Sequence, residues 1–387
     1  MIYTFDSTQA NAPALTGQAG SLRGLLKAVL VDGFSSQAVS SLVVAGEVAT
    51  LTYAAAHPFT PGRVVAVSGA TPSALNGNKL VLATTGSTVT FAAPDQANGT
   101  ATGTISSKAA AAGWSELFAG TLTNVLALKP SVAEASGSVL RVDDTGTTNA
   151  RVRAFESMSD ISTGLGPMPL DAQVSGGLYW PKSGTANATA RPWFVVADER
   201  GFYLAVAPQG GDRFTLMYAG DAASLKSGDA YGYLLTGNQS DQTAATTVPD
   251  GCCGWSHRSA RGGAYLQRLH TGVGQAVAAQ RLGAHHNGST ADVYAGSAGY
   301  SVGSYPNSPN NGLMTGPLEL YASGLRGSLP GLLHPVQDCG NAFASGAIVA
   351  GTDDYAGRRL MAIRTAPPSG SVVAGTVFID TTGPWER

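Results

Sequence analysis

The chain has 387 residues, enough to bury one large core or two to three smaller ones. Only 12% of residues are Asp, Glu, Lys or Arg, about half the ~25% usual in soluble proteins. The net charge of -2, with basic residues scattered along the chain, excludes the basic face of a nucleic-acid binder, and no apolar run reaches the ~20 residues that span a bilayer.

In chain order, the opening Met1-Ile2-Tyr3-Thr4-Phe5-Asp6 has no basic region followed by an apolar one, so it does not read as a secretory signal. Assembly in a cytoplasm is therefore expected. Leu22, Leu25, Leu26, Val29 and Leu30 recur at three and four residues, which predicts a short helix over 21–31. Ser21 is its expected cap and Asp32-Gly33 its stop. An apolar face this small needs a sheet to pack on.

Val39 to Val44 and Val48 to Tyr53 read as strands around Ala45-Gly46-Glu47. From His57 to Ile105, β-branched runs such as Val64-Val65-Ala66-Val67 and Thr88-Val89-Thr90-Phe91 alternate with Pro-Gly, Ser-Gly and Asn-Gly turns. That pattern predicts a small antiparallel β-module. Lys108 to Gly113 is a featureless joint, and Gly113-Trp114 opens a new element.

Further strands are predicted at Val139 to Asp143, Ala150 to Met158, Phe214 to Tyr218 and Tyr231 to Leu235. Pro192 to Ala197 and Phe202 to Ala207 form a hairpin pattern around Asp198-Glu199-Arg200-Gly201. Thr236 to Gly254 reads as a long polar loop, and Gly262 to Gly312, rich in Gly, Ser and Asn, as irregular. Gly327-Ser328-Leu329-Pro330 reads as a turn. Leu318 to Tyr321, Leu360 to Arg364 and Thr376 to Ile379 return to strands.

The expected fold is mainly β: an antiparallel β-sandwich or barrel-like body with one short N-terminal helix and an inserted small β-module. Residues 1–37 and 109–387 form the body, and 38–108 the insertion. The opening helix cannot fold alone, and the sheet it needs follows only after Trp114.

Chemistry has few footholds. Cys252, Cys253 and His257 lie close together, but zinc sites need a second ligand pair at a fixed spacing, and His285-His286 are remote. Cys252 and Cys253 join only through a strained ring, so buried thiols, Cys339 included, are the expectation. Asp143-Asp144, Asp198-Glu199 and Asp353-Asp354 are adjacent carboxylates, whereas glycoside cleavage needs two facing each other across a sugar. Neighbours on a strand point to opposite faces. Asp143-Asp144 before Thr145-Gly146 reads as turn chemistry, with carboxylates bonded to local backbone N–H groups. No nucleophile elbow or phosphate loop is present. The expectation is no enzyme, no cofactor and no metal.

Tyr179, Trp180, Trp193 and Trp255 are the candidate interface or glycan-contact aromatics, with core anchoring as the alternative. Low charge across the chain fits wide surfaces shared with neighbours, because interface cores are depleted in charge.

Several strings resemble a family of tailed-bacteriophage and prophage structural proteins. They include Ala12-Pro13-Ala14-Leu15-Thr16-Gly17-Gln18-Ala19-Gly20-Ser21-Leu22 and Leu30-Val31-Asp32-Gly33-Phe34. Ala112-Gly113-Trp114, Leu140-Arg141-Val142-Asp143-Asp144 and Gly177-Leu178-Tyr179-Trp180-Pro181-Lys182-Ser183 belong with them, as does the ending Phe378-Ile379-Asp380-Thr381-Thr382-Gly383-Pro384-Trp385. The rhythm of 62–91 is similar to a β-module of phage tail and virion proteins. The resemblance implies a virion component of the tail, baseplate or connector region, assembled in the host bacterial cytoplasm. Its partners would be copies of itself in a ring or trimer and other virion proteins, with no nucleic acid and no membrane. A receptor-binding or glycan-binding tail adhesin is the alternative, and a capsid decoration protein a further one.

Overall fold

The leucine spacing at the start of the chain produces an α-helix, Ser21–Lys27 (α1), which runs on as a π-helical turn, Ala28–Asp32. It stops at Gly33, whose φ of 73° suits glycine, and where a side chain would meet the Ala109 carbonyl at 2.4 Å. The computed structural model describes residues 1–241, 262–283, 305–306, 310–337, 339, 342–365 and 375–387. Within them the protein is mainly β, with antiparallel pairing between its strands, as the sequence predicts. No described helix is long and apolar enough to cross a membrane.

The largest sheet has 12 strands. Its path runs from Tyr3–Asp6 through Trp193–Ala197, Gly201–Val206, Thr215–Asp221 and Tyr233–Asn238, then through Leu178–Pro181, Asn149–Phe155, Val139–Asp143 and Val125–Pro130 to Trp114–Leu117. The sheet curls. Trp114, on the last strand of the path, donates its indole N–H to the Asp198 carbonyl at 3.1 Å and meets the Phe202 ring edge-on at 5.4 Å. The concave side holds α1: Leu22, Leu25, Leu26, Val29 and Leu30 are fully buried against Leu126, Leu140, Val152, Trp180 and Leu204. The sheet that the helix requires is therefore present.

A second sheet of seven strands, including Thr315–Tyr321, Leu325–Pro335, Arg359–Thr365 and Gly375–Asp380, covers the convex side. Leu320, Leu332, Ile363 and Val377 pack there on Val196, Tyr203, Leu216 and Leu234. Central strands of the large sheet are thus buried on both faces, which accounts for unbroken apolar runs such as Trp193–Ala197 and Gly201–Val206. In a half-solvated sheet such strands would alternate apolar and polar.

Three sequence expectations change in this region. The stretch from Gly262 is not all irregular: Gly262–Leu266 pairs with Tyr233–Asn238, and Gln280–Gly283 pairs with Thr315–Tyr321. The expected turn Gly327-Ser328-Leu329-Pro330 lies inside the longest strand, Leu325–Pro335. Its glycines mark close approach instead, since a side chain at Gly327 would meet the Ala223 carbonyl at 2.0 Å. The expected loop after Thr236 begins only beyond Asn238, where the strand ends, and residues 242–254 lie outside the described residues.

The segment from Phe34 to Ala109 makes two further sheets with a core of their own, including Leu42, Leu51, Val65, Val67, Val89 and Phe91. The inner sheet is Phe34–Ala38, Ser106–Ala109, Val64–Ser68 and Gly77–Leu80 in spatial order. The outer sheet is Ala83–Thr84, Thr88–Ala92, Val48–Thr52, Ser41–Ala45 and Gly99–Thr100. Against the 38–108 read from the sequence, the segment begins earlier, with Phe34–Ala38, and ends one residue later, with Ser106–Ala109. The Ala45/Val48 hairpin turns on Gly46 and Glu47 with φ of 58° and 65°, the left-handed pair a tight two-residue hairpin requires.

The inner sheet rests on the body. Val64 joins the core around α1, and the Phe34 and Phe5 rings lie 6.0 Å apart. Asn78 donates to the Tyr3 hydroxyl at 2.9 Å, and Arg63 pairs with Asp6. The outer sheet contributes nothing to the body's cores. It is the far side of the module.

Candidate interaction face

Strand alternation sorts the outer sheet into two faces. Leu42, Val44, Ala49, Leu51, Val89 and Phe91 point inward and are buried, while the residues between them point out. Outward partners stand directly opposite one another. Thr100, Val43, Thr50, Thr90 and Ala83 form one row across all five strands. Ala45, Val48 and Ala92 form a second row, and Ser41, Thr52 and Thr88 a third. Val43 and Val48 are 38% and 37% exposed, high values for valines on a regular strand.

No residue in these rows is charged. Sheet faces and edges that stay in water are normally guarded by Lys, Glu or Asp, which make pairing with another surface costly. The few charges of the module lie elsewhere. Arg63 and Lys108 turn toward the body, onto Asp6 and the Asp32 carbonyl. Lys79, on the inner sheet, donates to the Ala74 carbonyl at 2.8 Å. Glu47 sits in the hairpin turn and Asp95 in a loop. The result is a face of Thr, Val, Ala and Ser with hydroxyls and methyls side by side. It offers a second surface shape and hydrogen bonds at little desolvation cost. The signal was open to sequence reasoning: Ser41–Ala45, Val48–Thr52 and Thr88–Ala92 each alternate, and their outward set contains no charge.

Of the four aromatics singled out from the sequence, the three among the described residues are not brought together as a surface. Trp180 and Trp193 are fully buried, which corrects any reading of them as interface or glycan contacts. Trp180 donates to the Thr236 carbonyl at 2.7 Å, and Trp193 to the Pro13 carbonyl at 3.1 Å. They are core anchors whose N–H groups found backbone partners. Tyr179 is half-buried on the outward face of the sheet, and the Arg151 guanidinium covers its ring at 3.7 Å. Trp255 lies outside the described residues, as do Cys252, Cys253, His257 and His285-His286.

The acidic pairs separate in role. Asp143 accepts from the Thr145 hydroxyl at 2.7 Å and its backbone N–H at 3.3 Å, the local turn chemistry expected of it. Asp144 does something else. Its Oδ2 accepts the backbone N–H groups of Leu22 at 2.7 Å and Arg23 at 3.0 Å, so it, and not Ser21, caps α1. Its Oδ1 contacts the Lys182 ammonium, and both side chains are completely buried. Burial pushes the Asp144 carboxyl up and the Lys182 amine down, each against the pull of the other.

Asp198 accepts the Arg200 and Gly201 N–H groups at 2.8 Å in its hairpin and pairs with Arg387. Glu199 faces the Met1 amine and the Tyr3 hydroxyl, and Asp353-Asp354 begin a short 3-10 turn. Among the described residues no group of three or more His, Cys, Asp or Glu side chains is placed to hold a metal ion. Cys339 is buried among Leu313, Leu333 and Phe378.

A cleft of about 490 Å³ lies between the sheets, lined by Glu134, Ser136, Arg200, Asp221, Lys226 and Asp229 among others. Within it Asp221 takes two partners, Arg200 at 2.9 Å and the Ser136 hydroxyl at 2.6 Å, while Lys226 donates to the His270 carbonyl at 2.8 Å and Asp229 pairs with Arg326. Comparison of the sequence with protein-family models and with curated proteins gives no match.

Proposed function

We propose that this chain is a structural subunit of a tailed-phage particle, in the tail, baseplate or connector region, held in place by symmetric contacts between copies. The observation that carries this reading is the charge-free outer face of the module, turned away from the body, with its rows of Val, Thr and Ala across five strands. A surface of that kind is poorly defended against association in a monomer and well suited to a repeated contact in an assembly. The low charge of the whole chain and the strings that resemble phage structural proteins support the same reading.

In this reading the curled sheet with its helix plug is the rigid body, and the module presents the contact. Copies in a ring or trimer and other particle proteins are the partners, and the particle forms in the bacterial cytoplasm. The adhesin alternative has lost two of its sugar platforms, because Trp180 and Trp193 are sealed in the core.

Mass spectrometry of particles purified from the genome that encodes this chain tests the proposal. The chain is expected there in multiple copies per particle, in a fixed ratio to the other structural proteins. Its absence from washed particles, with abundant chain left in the lysate, would contradict the proposal.

A further inference from the structure

We infer that Lys182 and Asp144 are a self-modifying pair that joins to form an intramolecular isopeptide bond, a covalent clasp between the strand end at 182 and the cap of α1. The inference is independent of the assembly proposal. It rests first on placement: the Lys182 Nζ touches Asp144 Oδ1, and neither side chain has any solvent exposure. Amine and carboxyl are held in contact with water excluded, which removes most of the entropic barrier to condensation.

The surroundings favour the reaction over a permanent ion pair. Two buried charges carry a desolvation penalty that their mutual attraction repays only in part. Burial accordingly drives Asp144 toward the neutral acid and Lys182 toward the neutral amine, the two forms that condense. Oδ2 accepts the N–H groups of Leu22 at 2.7 Å and Arg23 at 3.0 Å, two backbone donors at the distances used to hold a developing oxyanion. The Gln18 carbonyl accepts from Nζ at 2.7 Å and orients it.

The step balances. The Nζ lone pair attacks Asp144 Cγ, and negative charge gathers on Oδ2. The Cγ–Oδ1 bond then breaks with its electron pair, and Oδ1 takes protons from the acid and the amine to leave as one water. The product is a neutral amide that keeps every partner: its oxygen accepts the Leu22 and Arg23 N–H groups, and its N–H donates to Gln18. No oxidant, metal or cofactor is required. The bond closes a span of 38 residues and ties the cap of α1 to the wall of the curled sheet.

Intact mass of the purified, denatured full chain reads this directly. The expected mass is lower than the sequence mass by one water. Trypsin should release peptide 142–151 covalently joined to a peptide in which Lys182 is uncut and modified. Lys182→Arg keeps the positive charge but cannot form this amide, and is expected at full sequence mass even if its folding yield falls. A wild-type chain at full sequence mass overturns the inference. So does a water loss that persists in Lys182→Arg, or one that maps to an Asp-Gly succinimide.

Discussion

Trp180→Ala is expected to lower the unfolding free energy by about 3–5 kcal/mol, the cost typical of emptying a large aromatic site in a core. The residue is among the largest fully buried side chains of the protein. Its ring meets Phe202 edge-on at 5.9 Å, and Phe202 in turn meets Trp114, so one indole supports contacts that hold the two arms of the curled sheet together. The substitution also removes the donor to the Thr236 carbonyl. Against a total stability of about 5–15 kcal/mol, that loss is a large fraction. Urea unfolding followed by circular dichroism measures it. A loss under about 1 kcal/mol would mean that the curled core does not depend on this anchor.

Arg326→Ala is expected to cost about 3–5 kcal/mol at neutral pH, because it strands a buried carboxylate. Arg326 lies on the second sheet and pairs with Asp229, with side chains 1% and 4% exposed; it also donates to the Ser224 hydroxyl at 2.6 Å. Burial alone would push the Asp229 carboxyl up, but the Arg326 guanidinium and the Ser224 hydroxyl outweigh it and hold Asp229 below the ordinary value of 3.8. A carboxylate depressed on folding contributes stability that is complete above its unfolded pKa and is lost as pH falls through the folded value. The gap between wild type and Arg326→Ala should therefore narrow in acid, where Asp229 takes up a proton.

Replacing both partners, Arg326→Met with Asp229→Leu, should recover most of the loss, since a buried ion pair replaced by apolar side chains is often neutral. The Arg326 Nε and Nη2 atoms are buried without hydrogen-bond partners, so little is lost with them. Denaturant unfolding across pH decides the matter. An equal, pH-independent loss in the single and double variants would show that packing, not charge, is what Arg326 supplies.

Much of this architecture can be read from residue order, because the local signals agree with the packing. The 22, 25, 26, 29, 30 spacing gives the helix, and Gly33 ends it. The hairpin Trp193–Ala197 to Gly201–Val206 falls where its turn residues indicate. What escapes is decided at long range. Asp144 caps a helix 122 residues earlier in the chain, and no local pattern distinguishes it from Asp143, which serves its own turn and pairs with Arg141 two residues before it. Gly262–Leu266 is poor in β-branched residues and becomes a strand because Tyr233–Asn238 offers it an edge.

Trp180 and Trp193 illustrate a different limit. An amphipathic ring suits a core and an interface equally well, and only packing with α1 inside the curl of the large sheet decides between them. The charge-free face of the module was visible in principle. It required asking which residues the alternation turns outward, not which it buries.

Sedimentation velocity on the purified chain, compared with Thr50→Lys and Thr90→Glu in turn, tests the central claim most directly. Thr50 and Thr90 are cross-strand partners in the middle row of the outer face, so one charge there should disrupt a shared contact without touching the module core. The account predicts a defined, concentration-dependent oligomer for the unaltered chain and a monomer for each variant, with unchanged circular dichroism. A chain that stays monomeric at high concentration, or an oligomer indifferent to both substitutions, would contradict it.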